Sequence, residues 1–97
     1  MTPPMRRLVV DILKPHQPEI TEFAEAVADT DGVEGANATL IETDREVQNI
    51  KITMEGSDID KDEVFEAIEG LGGSVHSIDE IMCGERIVER RDTPQDT

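Results

Sequence analysis

The stretch LVVDILKPHQP, Leu8–Pro18, has the apolar density of a buried strand and one residue such a strand should not carry, Asp11. From Arg6 to Lys14 the pattern alternates, with Leu8, Val10 and Ile12 on one face and Val9, Asp11 and Leu13 on the other. Pro15 and Pro18 end the run, because proline has no N–H to give to a strand ladder. An ionised carboxylate on a covered face needs a cation or hydrogen-bond donors, so the neighbours of this strand decide what Asp11 is for.

Downstream, Ile20, Phe23, Ala24, Val27 and Ala28 recur at the spacing of one helical face, and Pro18 suits the first turn of that helix. The ADTDG stretch, Ala28–Gly32, stops it. Ala36–Thr43 and Val47–Glu55 then alternate again, joined by Asp44, Arg45 and Glu46 as in a hairpin. On the second of these strands Ile50, Ile52 and Met54 form the apolar face and Asn49, Lys51 and Thr53 the other. A second helix is announced by Asp60, which caps, by Glu63, which would reach back in a capping box, and by Ile59, which would staple onto Val64. Val64, Phe65, Ile68 and Leu71 make its apolar stripe, and Gly72-Gly73 ends it. Ser74–Cys83 is the last strand. The ends carry little apolar content, so residues 1–5 and 90–97 are expected to be disordered around one domain at 6–89.

Strand, helix, strand, strand, helix, strand is the order of the ferredoxin-like α+β sandwich. Right-handed crossovers give a four-stranded antiparallel sheet of order 4-1-3-2 with both helices on one face. If the centres of the first and third strands lie opposite, Asp11 faces Lys51 on the helix-free face, where the two can neutralise each other. That face would also carry Val9, Leu13, Asn37, Thr39, Ile41 and Asn49, a mixture too apolar for a fully solvated surface and suited to a partner subunit.

The chain has 23 Asp and Glu against 9 Lys and Arg, a formal charge of −14, which works against nucleic-acid or anionic-membrane partners. Phe23 and Phe65 are its only aromatics and both fall on helix stripes, so base-stacking platforms are missing. The acids are spread along the chain, the pattern of a surface built for high salt and a halophilic habitat. Cys83 is the only cysteine, which excludes an internal disulfide and a Cys-x-x-Cys site, fits a reducing cytoplasm, and reads as a small semi-buried strand residue. The apolar run after Arg6-Arg7 breaks at Asp11, short of the roughly 7–15 residues of an export signal.

Asp58–Glu69 places acids where a calcium loop has them, but Glu63 occupies the glycine position and the same residues are explained by helix capping. His16 and His76 are expected at the same end of the sheet, with Asp79 and Glu80 a few residues away. Two ligands from a turn and an edge strand make no complete site, which leaves room for only weak divalent-cation binding and for no resident cofactor. There is no G-x-S-x-G elbow and no glycine-rich phosphate loop, and no catalytic residue is assigned.

Three segments carry a resemblance to a known family: LVVDILKPHQP, the VQNIKITMEG strand, and LGGSVHSIDEI followed by GERIVE. Over Arg6–Glu89 the chain resembles the small archaeal proteins grouped as domain of unknown function 211. The resemblance implies a ferredoxin-like fold and closed homo-oligomers, with no established activity and no catalytic residues to carry over. The chain departs from the family in its acidity and in Cys83.

The expectation is a non-enzymatic cytoplasmic domain whose partner is itself, with ligand or intersubunit candidates Asp11, Lys14, His16, Asn37, Asn49, Lys51, His76 and Ser77. One alternative is a small-ligand regulatory domain of the amino-acid-sensor type, binding at the KPHQPEI and LGGSVHS turns. Another is a divalent-metal protein using His16, His76 and Asp79, with Glu80 nearby.

Overall fold

A computed structural model describes residues 2–89. The elements are β1 (Met5–Pro15), α1 (Ile20–Ala28), β2 (Val33–Thr43), β3 (Val47–Gly56), α2 (Lys61–Gly70) and β4 (Ser74–Cys83). One antiparallel sheet has the order β2-β3-β1-β4, which is the ferredoxin-like arrangement the element order predicts.

The alternation of β1 builds the core. Leu8, Val10 and Ile12 are fully buried and meet Met54, Ile52 and Ile50 across the β1–β3 ladder. Phe23 and Val27 of α1 and Val64 and Ile68 of α2 close the same cluster from above. Phe65, expected in the stripe beside them, is only partly buried, with the Lys61 ammonium 5.2 Å from its ring centroid. The next even-numbered residue of β1, Lys14, continues the core face and is also fully buried.

The helix ends follow local chemistry. Asp60 caps α2 by accepting from the Glu63 N–H at 3.1 Å, and Ile59 and Val64 are both buried in the core, as a staple requires. The reciprocal half of the capping box is not made. The Glu63 carboxylate accepts instead from the Asp31 N–H at 3.2 Å, and the Asp60 N–H bonds the Asp31 carbonyl, so the cap doubles as a tie to the turn after α1. Gly32 in that turn has φ +85°, and a Cβ there would overlap the Asp58 carbonyl. Pro18 lies outside α1, which starts at Ile20 behind Glu19 without a side-chain cap. Of the hairpin strands, β2 begins at Val33, three residues ahead of the expected Ala36, because backbone pairing with Gly56 needs no alternating pattern.

One further boundary moves. The N-terminal tail is shorter than residues 1–5, since Met5 is already in β1 and the Pro4 carbonyl accepts from the Gly84 N–H at 2.8 Å. The tail expected at 90–97 lies outside the described residues. Cys83 is exposed rather than semi-buried, because it ends an edge strand. No helix among the described residues is long and apolar enough to cross a membrane.

Candidate functional site

The helices leave one broad face of the sheet bare. Its centre is the row Arg7, Val9, Asp11, Leu13 on β1, facing Glu55, Thr53, Lys51 and Asn49 of β3. Asp11 and Lys51 are direct partners in register, as the alternation requires. The ion pair, however, forms elsewhere. The Lys51 Nζ lies 2.8 Å from Asp79 Oδ2 of β4, across β1. The Ser77 hydroxyl, opposite Asp11 on its other flank, also donates to Asp79, at 2.8 Å. Those two donors hold the Asp79 carboxyl below its usual range, the lysine contributing most. Asp79 in turn raises the Lys51 ammonium, with Asp11 adding a weaker through-space attraction.

Asp11 is therefore left with an orphan. Its Oδ1 is buried and accepts no hydrogen bond among the described residues. The long lysine stem reaches past the nearer carboxylate to the one on the edge strand, where irregularities in the β1–β4 ladder displace Asp79 from simple alternation.

At one end of this face lies a cavity of about 310 Å³. Asp11 and Leu13 contribute from β1, Val47 and Asn49 from β3, His76 from β4, and Glu42 and Asp44 from the β2–β3 hairpin. Asp44 shapes the hairpin, its Oδ1 accepting from the backbone N–H groups of Glu46 and Val47, both at 3.0 Å. Those bonds hold its carboxyl below the usual range. Asn49 donates to the Ile12 carbonyl at 3.2 Å.

The histidines do reach the same end of the sheet. His16 Nε2 contacts the Asp44 carbonyl at 2.7 Å, and Asp44 lines the cavity with His76. Asp79 and Glu80 are engaged farther down the face, Asp79 by Lys51 and Glu80 by Arg7. Among the described residues no three His, Cys, Asp or Glu side chains converge as a metal site requires. Asn37 stands apart, accepting from the Thr39 hydroxyl at 3.0 Å beside a second depression, of about 320 Å³, with Gly35, Ala36, Thr53 and Glu55.

Lys14 points to the other side. Its Nζ donates to the Pro15 carbonyl at 2.7 Å and to Gln48 Oε1 at 2.9 Å, and lies 5.4 Å from the Phe23 ring centroid. Burial pushes its ammonium below the usual lysine value, with Glu19 and Glu22 pulling it partly back. It fixes the turn that carries His16 instead of offering a surface charge.

Arg7, which no sequence pattern marks as a site residue, organises the opposite end of the face. Its guanidinium meets Glu55 at 2.8 Å, Glu80 at 3.0 Å and Glu89 at 2.6 Å. These acids raise it above its already high range, Glu89 most. Arg6 secures the same segment by donating to the Glu85 carbonyl at 2.9 Å. Register alone signals the Arg7–Glu55 pair; Glu89 lies beyond the last strand and had no periodicity to place it.

The chain is similar to known proteins over nearly its whole length. The DUF211 family, described as "Uncharacterized ArCR", matches residues 6–97. An uncharacterized protein of Methanocaldococcus jannaschii is 49% identical over 92 residues, covering 95% of each chain.

Proposed function

The chain belongs to the DUF211 family, and from that premise and its bare surfaces we propose that it is a non-enzymatic cytoplasmic module that assembles with copies of itself. The observation that carries this reading is the pair of sheet edges. β2 exposes Leu40 at 49% and Ile41 at 52%, and β4 exposes Ile78 at 43% and Ile81 at 48%. Among the described residues both edges also present unpaired backbone groups, which soluble proteins normally blunt or cover.

The two edges are complementary in direction. β1 runs antiparallel to both β3 and β4, and β2 antiparallel to β3, so β2 and β4 run opposite ways. Setting β4 of one copy beside β2 of the next continues the antiparallel alternation with all helices on the same side. Such a head-to-tail contact is heterologous and closes into a ring when the twist between copies permits. Dense surface carboxylates oppose this association at low ionic strength, so assembly belongs to a salt-rich interior.

The test is native mass in molar KCl. The parent should exceed the 10.7 kDa of one chain, while Leu40→Lys, which blocks β2, and Ile81→Lys, which blocks β4, should each reduce the size. Mixing the two variants should produce a discrete dimer, since each retains the edge the other has lost. A parent that stays monomeric at all accessible concentrations overturns the reading.

A further inference from the structure

We infer that the cavity at the His76 end of the helix-free face binds a small aliphatic organic cation, an ammonium group carried on a short methylene chain. This goes beyond self-assembly and does not depend on it. The cavity of about 310 Å³ falls at the lower end of the roughly 300–1,000 Å³ typical of small-molecule sites.

The charge requirement comes from Asp11. Its buried Oδ1 lacks a donor, and the two side chains best placed to supply one, Lys51 and Ser77, are both given to Asp79. A buried carboxylate oxygen without a partner is costly, and an ammonium brought by a ligand supplies the missing bond in its stronger, charge-assisted form. Asp11 lines the cavity, and because its terminal torsion is broad, rotation of the carboxylate can turn the unpaired oxygen toward an incoming ammonium. Glu42 and Asp44 add negative charge, and among the described residues no lysine or arginine lines the space.

The remaining walls select the rest of the ligand. Leu13 and Val47 give an apolar flank on which methylenes can lie, and His76 offers an imidazole nitrogen to a second polar end. A bare metal ion is the poorer match. Metals need ligand atoms converging to about 2.0–2.6 Å, and the described His, Cys, Asp and Glu groups do not gather in threes for that. An ammonium tolerates acceptors spread around it at ordinary hydrogen-bond lengths of about 2.7–3.2 Å.

The probe is 1,5-diaminopentane, titrated into the full chain in dilute buffer and followed by backbone-amide NMR. Saturable shifts should centre on Leu13, Asn49 and His76, and 1-pentanol, which lacks the cation, should produce none. Asp11→Asn should weaken binding about tenfold or more, the loss expected for a charge-assisted bond. Glu66→Gln, on the exposed side of α2, should change it less than about twofold, the thermal melt confirming that both variants fold. Shifts that never saturate, or equal weakening in the two variants, would show general counter-ion attraction and overturn the site. Unchanged affinity in a folded Asp11→Asn protein would overturn it as well.

Discussion

Truncating Phe23 should cost far more than truncating Phe65, although the two are the only aromatic residues in the chain and both sit on apolar helix stripes. Phe23 is fully buried. Its ring packs so closely on the turn after α2 that a Cβ added at Gly73 would come within 2.7 Å of its Cε2. Removing the ring forfeits about 1.5–3 kcal/mol of transfer free energy. A cavity term follows, because Leu8, Ile12, Ile68 and their neighbours are held by the sheet and helices and collapse only in part. The sum is the usual ~3–5 kcal/mol for a buried Phe→Ala change, with a further loss of about 0.5–2 kcal/mol where the Lys14 ammonium sits over the ring. Phe65, only partly buried, should lose only about 1–2 kcal/mol on the same area reckoning. Against a total of about 5–15 kcal/mol, Phe23→Ala can leave the chain unfolded, so Phe23→Leu serves as the milder companion and should fold with reduced stability. Urea titrations followed by far-UV circular dichroism in molar KCl give all three numbers. Equal losses at the two phenylalanines, or a larger one at Phe65, would refute the assigned packing of α1 and α2 on the sheet.

Lys51→Met combined with Asp79→Asn should show a positive coupling in a double-mutant cycle, and a larger one than Lys51→Met with Asp11→Asn, because the ion pair is to Asp79. The Asp79 carboxyl is held low, so that coupling is present above its ordinary value of 3.8 and disappears as the pH falls through the lowered one; melts in a pH series measure it. Gly32→Ala should destabilise by more than about 1 kcal/mol, since φ of +85° and the Asp58 carbonyl both oppose a side chain there. Stability should rise from dilute buffer toward molar KCl as the repulsion behind a net charge of −14 is screened, and a melting temperature that falls steadily with added salt would contradict the habitat reading.

The element order, the sheet order and the Asp11–Lys51 register were all legible in the chain, because each rests on local periodicity and on the limited ways in which βαβ units can pack. The same holds for the Asp60 cap and for the core face of β1. Periodicity says which face a residue occupies but not how far its side chain reaches. Lys51 bypasses its register partner for Asp79 two strands away, and that choice depends on β4 ladder irregularities that no pattern announces. Burial likewise divides Phe23 from Phe65 only after α1 and α2 have taken their places. The cavity gathers residues from all four strands and a hairpin turn, with sequence separations that no motif spans. Its chemistry is set by which donors are already engaged elsewhere, and that is decided by tertiary structure alone.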